Sequence, residues 1–418
     1  MNSSTLKLFL IAGIVTALLL ANSQRTGLAA NPPIYAGGQK LSRGGRIRVE
    51  NPSGPITVEG WDQDTVQAIV EGSDRQSSVS VQEIRQDLLS ITPDFHGHPH
   101  GGEVHLVIRM PRAAGIQYLN TGQGAVEVTN IEGPVNVNSR NGSLKINGVG
   151  SLNAFTANGQ IEVRSVSGDA KVQTSSGEVT VVGATGKVNI QTANGGVEAS
   201  NTGPLSIHTS SGAITARNIA GSATLESANG DISVRQATGD VIAKVTSGDF
   251  QAEDIRGVIT LAIASGDVTI ANTGSDVKVS SISSDIDLKC AKGAVDLSSV
   301  SGSIVMAGVG GDVSAMSTSG DVKLSATIRP HGHYKLKSAS GEVTLLIQGD
   351  SGFTATLSSY TGEIETDFPL KLDTPLERGP VNRRIIGRYG DGEADLTLDS
   401  FSGSARLAKT SGHGPNCK

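Results

Sequence analysis

The sequence predicts an all-β fold, specifically a two-sided parallel β-solenoid with coils of about 18 residues, and three observations predict it. Apolar and polar residues alternate at period two over most of the chain, which is the pattern of strands with one buried face. Glycine is abundant, 53 of 418 residues, and it punctuates that alternation at regular intervals. Aromatic residues make up only 3%. Such a chain cannot build its core around Phe and Trp, so a thin, repetitive core of Val, Ile, Leu and Ala is expected.

The first residues read as a secretory leader. Lys7 supplies a basic start, and Leu8 to Leu20 form an uncharged apolar run. That run is about 13 residues, short of the roughly 20 that a membrane-spanning helix needs. Small-residue cleavage sites follow at Ala21-Asn22-Ser23 and Leu28-Ala29-Ala30. Residues 1–30 are therefore expected to be a signal peptide, with an uncleaved anchor as the alternative. No cysteine follows the apolar run closely, which argues against a lipid-anchored form. An exported chain in the periplasm, at the cell surface or outside the cell follows, with no transmembrane domain after cleavage.

The repeat unit is x-Gly-x-Val-x-Val. Gly177 is followed by Val179 and Val181, Gly230 by Ile232 and Val234, and Gly320 by Val322 and Leu324. Glycine at each turn supplies the positive φ that a tight corner needs. A longer period overlies this one. Gly159, Gly177, Gly195, Gly212 and Gly230 advance by about 17 or 18 residues, each preceded by Ser or Asn and usually by Thr or Ser three places earlier. A second, interleaved series includes Gly168, Gly186, Gly203 and Gly221, with more varied neighbours. Two alternating corner types imply a coil with two strands, repeated about a dozen times into a rod on the order of 55–60 Å.

The ends differ from the middle, as an array needs caps over its open strand edges. Residues 31–115 are expected to form an N-terminal capping region, with strands near Arg46–Val49, Ile56–Val58, Val66–Val70 and Val104–Met110. The solenoid proper is expected over 116–410. An insertion carrying Pro330, His331 and His333 interrupts it, and a second break falls at 369–388. The last strands are expected at Ala394–Leu398 and Ala405–Leu407, followed by a disordered tail, 411–418.

Several segments carry a resemblance. They are Arg48-Val49-Glu50-Asn51-Pro52-Ser53-Gly54-Pro55-Ile56-Thr57-Val58-Glu59-Gly60-Trp61, Val107-Ile108-Arg109-Met110-Pro111, the Ser-Gly-Asp-Val repeats, and Gly392-Glu393-Ala394-Asp395-Leu396-Thr397-Leu398 with Ser402-Gly403-Ser404. In this order, over nearly the whole chain, they resemble the bacterial "putative adhesin" family of β-strand-repeat envelope proteins. The resemblance implies an envelope-exposed β-solenoid and supplies no catalytic residues. The run of repeats here is longer than in the shorter members.

Candidate chemistry is sparse. His96, His98, His100 and His105, with Glu103, carry the right donors for zinc, copper or nickel. They sit in a Gly/Pro loop that does not fix a tetrahedral geometry, so a solvated hairpin loop is the favoured reading. Asp231, Asp249, Asp267 and Asp321 each follow a corner glycine, and Asp285 follows Ser284 in the same slot. In register they would form an acidic ladder, a stripe for divalent cations. The favoured reading is that each bonds its own turn backbone and faces water. The Thr/Ser residues before each Asn/Ser-Gly corner are expected to form an internal ladder rather than a flat binding face.

Gly349-Asp350-Ser351-Gly352 resembles the surround of a serine nucleophile but lacks a placed His and Asp partner. Gly183-Ala184-Thr185-Gly186-Lys187 is too short for a phosphate loop and precedes no helix. Cys290 and Cys417 could pair, but a packed Cys290 and a loose tail thiol is the favoured reading. The net charge of −6 with pI near 5.8 disfavours nucleic-acid binding. No metal, cofactor or catalytic site is expected. The function expected is that of a non-catalytic binding or structural scaffold, possible partners being an envelope or cell-surface polymer or protein. The alternatives are a polysaccharide-active β-helix enzyme and an envelope assembly or regulatory protein.

Overall fold

A computed structural model describes residues 34–71, 78–95, 103–372, 383–410 and 417. The expected signal peptide, His96, His98, His100, and residues 411–416 and 418 of the expected tail lie outside the described residues. Within them every regular element is a strand, and the strands stack as the parallel coils of a β-solenoid.

A regular coil of the middle of the array has a seven-residue strand and a six-residue strand, such as Ala170–Ser176 and Val179–Ala184. Alternation sets their faces: Ala170, Val172, Val179 and Val181 are buried, while their neighbours face outward. Stacking keeps like on like. Val172 stands beside Ile190, and Val181 beside Val163 and Ala199. The buried residues join into one core that runs the length of the rod. Each fully buried Val, Ile or Leu contributes on the order of 1.5–3 kcal/mol, largely offset by the entropy of ordering the chain.

The first corner explains its glycine. Gly177 has a φ of +144°, and a Cβ there would lie 2.1 Å from the carbonyl oxygen of Gly159 in the coil before. Corners therefore stack backbone on backbone, with Gly177 N–H donating to Asn194 O in the coil after (3.0 Å). No side chain fits between them.

The six-residue strand adds a feature that the two-corner pattern does not show. Its fifth residue is left-handed in coil after coil: Asn218 at φ 53°, Gln236 at 59°, Asp254 at 58°, Asn272 at 55° and Cys290 at 59°. Gly148, Gly183 and Gly308 take the same position in other coils. The bend turns the chain, so the next residue (Ile219, Ala237 or Ile255) points back into the core. The two-sided coil thus has a short third side before its variable corner.

Both ends close by insertion. The first coil, with strands Arg46–Asn51 and Ile56–Trp61, pairs on one side with Leu88–Asp94 and His105–Pro111. On its other side it pairs with Gly115–Gln123 and the start of Val126–Asn141. The chain therefore leaves its first coil, builds an outer one, and returns past the first. The C-terminus mirrors this arrangement. Ala394–Ser400 lies between His333–Ser340 and Phe353–Ser359, and Ala405–Lys409 lies between Val343–Gln348 and Ile364–Thr366. Antiparallel strands cover edges at each end, Thr65–Glu71 on His105–Pro111 and Arg383–Tyr389 on Phe353–Ser359. Open edges of a parallel stack invite pairing with other chains, and these strands block it. Parallel coils therefore begin at Arg46.

Candidate functional site

The left-handed bends create a groove. Repeated at one register, they leave a concave strip along the third side, with a volume of about 880 Å³. One wall carries Asn218, Gln236, Asp254 and Asn272, and the other carries Thr238, Arg256 and Lys292. The groove spans six coils, from Asn218 to Gly310, on the order of 24 Å at one strand spacing per coil. Its rungs are closed by backbone hydrogen bonds from one coil to the one before, Thr238 N to Ile219 O (3.0 Å) and Arg256 N to Ala237 O (3.0 Å). Asn218 Nδ2 donates to Asn201 Oδ1 (3.0 Å), which aligns amides along the wall.

Cys417 enters this groove and is disulfide-bonded to Cys290, with Cα atoms 5.2 Å apart. Cys290 is buried, but the expectation of a loose tail thiol is corrected, as is disorder at the tail's Cys417. Cys290 sits at the left-handed bend and lines the groove, where Cys417 reaches it. Such a bridge is compatible with an exported protein.

The acidic ladder also differs from its favoured reading. Asp231 Oδ1 accepts from the N–H of Asp249 (2.9 Å), and Asp249 Oδ1 accepts from the N–H of Asp267 (2.8 Å). Asp285 accepts from Ser303 (2.7 Å), and Asp321 from Glu342 (2.8 Å). Each carboxylate bonds the backbone of the following coil, not of its own turn. Asp169, Asp240 and Asp276 do the same at the variable corner. The one-strand rise places the next N–H within reach of the side chain, and that amide needs an acceptor.

The hydroxyl ladder is internal. Thr156, Ser317 and Ser338 are buried and donate to the carbonyls of Gly142, Gly302 and Gly320 (3.2, 3.0 and 2.8 Å). Thr174, Thr192 and Thr209 occupy the same slot without a partner for their hydroxyls. His105 hydrogen-bonds Thr57 through Nε2 (2.9 Å) and faces Glu71 through Nδ1 (3.3 Å). Among the described residues no three His, Cys, Asp or Glu side chains gather to hold a metal ion. Nor, among them, is any helix long and apolar enough to cross a membrane.

Sequence reasoning did not find the groove. Its signal was present in the recurrence of Asn and Gly at one slot, Gly183, Asn201, Asn218 and Gly308, the residue types that tolerate a left-handed backbone.

The family model described as Toastrack DUF4097 matches residues 184–293 and 259–407, together more than half of the chain. The chain belongs to the Toastrack DUF4097 family. The resemblance carried by the Ser-Gly-Asp-Val repeats and the closing strands pointed the same way. Solved structures with some likeness include a putative cell adhesion protein from Clostridium sporogenes, at 7% identity and TM-score 0.16, covering 91% of this chain and 100% of its own. A putative adhesin from Bacteroides fragilis has 18% identity and TM-score 0.27, covering 57% of this chain and 100% of its own. A putative adhesin from Parabacteroides distasonis has 10% identity and TM-score 0.20, covering 91% and 97%. No curated protein matches the chain in sequence.

Proposed function

We propose that this Toastrack protein is an exported envelope or cell-surface solenoid that binds an extended partner and works as a non-catalytic scaffold. The observation that carries the reading is the groove along the third side, where successive coils present the same backbone bend at one-strand intervals. A surface that repeats at a fixed pitch matches partners that repeat, such as polymers of the envelope. Export is supported by the leader-like residues 1–30 and by the Cys290–Cys417 bridge, which an oxidising compartment maintains. A scaffold reading fits the ladders too, since the corner carboxylates are engaged in joining coils.

The test is retention of envelope fractions by the purified chain, combined with cell fractionation and protease accessibility of intact cells. Retention of an envelope polymer by an exported chain is the expected outcome. A chain found in the cytoplasm, or one that retains no envelope fraction, overturns the reading. Release of new reducing ends from a retained polysaccharide replaces it with the enzyme alternative.

A further inference from the structure

The closing coils bring together an exposed surface that neither the repeat nor the groove accounts for. Insertion of Ala394–Ser400 between His333–Ser340 and Phe353–Ser359 places Phe401 beside Tyr360, although 40 residues separate them in the chain. Their rings stack with centroids 4.7 Å apart and planes 4° from parallel. Both stay open to solvent, Phe401 at 58% and Tyr360 at 42% exposure. On the other side of Phe401 the register positions hold only Ala339 and then Thr318, so space is left beyond its ring. Val300 and Ile282 continue the line, exposed at 54% and 61%.

Beside this apolar line runs a polar row on the same outward face, Met316, Lys337, Asp399, Ser358 and Arg384 in successive strands. Asp399 accepts from Lys337 Nζ (2.9 Å) and Ser358 Oγ (2.7 Å). A carboxylate has capacity for further donors. Arg384 makes no ion pair or side-chain hydrogen bond among the described residues, so the row holds two cations against one anion. Phe401, Tyr360 and the second row line one depression of about 640 Å³, and Val300 and Ile282 lie beyond it.

We propose that this depression binds an acidic polysaccharide, one whose sugars carry carboxylates. The proposal rests on the scaffold reading and adds a second binding surface to it. A pyranose presents a face of C–H groups with partial positive charge, which suits the negative face of an aromatic ring. Its hydroxyls would donate to Asp399 and to Ser358 Oγ and accept from Lys337, while a sugar carboxylate would meet the guanidinium of Arg384. Charge selects the acidic sugar, because the site carries one uncompensated positive charge. The line from Tyr360 to Ile282 lets an extended chain lie along the rod.

Calorimetric titration of the full chain with oligogalacturonate, a neutral cello-oligosaccharide and a single-stranded oligothymidylate tests this. Oligogalacturonate is expected to bind best. Phe401→Ala is expected to weaken it about tenfold or more, by analogy with the loss of other stacking platforms. Arg384→Gln is expected to weaken the acidic ligand only. Ala339→Glu, at an exposed small residue, keeps the fold and is expected to abolish acidic binding by filling the space with like charge. Absence of oligogalacturonate binding, full affinity in both Phe401→Ala and Ala339→Glu, or preferential oligothymidylate binding that Phe401→Ala removes would each overturn the proposal. If oligogalacturonate does not bind yet the chain retains envelope material, this site fails and the scaffold reading stands. If oligogalacturonate binds through Phe401 yet no envelope fraction is retained, the site stands and the scaffold reading fails.

Discussion

Cys417 is bonded to Cys290 at a left-handed bend lying 127 residues earlier in the chain. The bond ties the chain end to a coil in the body of the rod. Closing a loop of that length removes much freedom from the unfolded chain, worth about 4–5 kcal/mol in the chain-entropy limit. Reduction, or Cys417→Ser, is expected to lower the melting midpoint while far-UV circular dichroism at room temperature stays unchanged. An equal midpoint for oxidised and reduced protein would contradict this.

The corner carboxylates make a separate prediction. Asp249→Ala leaves the N–H of Asp267 without its acceptor and is expected to cost about 1 kcal/mol in denaturant unfolding. Asp249→Asn retains an oxygen in the same place and is expected to cost much less. A stripe that held cations would instead lower the wild-type midpoint on addition of a chelator.

The buried hydroxyl of Thr192 has no partner. Thr192→Val preserves shape and removes a desolvated polar group, so a gain of up to about 1 kcal/mol is expected. Ser338→Ala, by contrast, breaks a bond of 2.8 Å to Gly320 O and is expected to destabilise. Chemical denaturation of the two variants side by side checks the contrast.

Gln236 sits at φ 59° with an ordinary side chain. Gln236→Gly relieves a left-handed backbone worth roughly 1–2 kcal/mol, against a smaller entropic penalty, and is expected to stabilise slightly. Gln236→Val places a β-branched residue there and is expected to destabilise by more than about 1 kcal/mol. Equal stability of the two would refute the assignment of the bend.

Asp399 gives the closing coil a pH dependence. Partial burial alone would push its carboxyl up, but hydrogen bonds from Lys337 and Ser358, with the positive charges of Lys337 and Arg384, hold it below the ordinary 3.8. A carboxylate with a depressed folded-state pKa stabilises the fold above its unfolded value and loses that contribution as pH falls through the folded one. The difference in melting midpoint between wild type and Asp399→Asn is therefore expected to be full near neutral pH. It should shrink in acid below 3.8.

The period of the coil was readable because one register position recurs in every turn. Gly177, Val179 and Val181 each stack on their own kind, and no long-range information is needed to see it. The corner aspartates were visible as a ladder, but their partners were not. Whether Asp249 bonds its own turn or the next coil depends on the rise between coils, a tertiary quantity. The end closures were harder still. Strand segments such as Arg46–Asn51 and Ala394–Ser400 read correctly as strands, yet nothing local says that each inserts between two others. Phe401 and Tyr360 meet only because of that insertion. Cys290 looked like a core residue by its alternating neighbours, and only the sign of its φ moved it to the groove.

Because Arg46–Asn51 and Ala394–Ser400 are each clasped between two neighbours, neither can leave the stack without breaking two ladders at once. The hydrogen bonds between coils run along the rod, so a pull on its axis loads them in tension rather than in shear. Coils between the clasps could be added or removed in units of one turn without changing how either end closes.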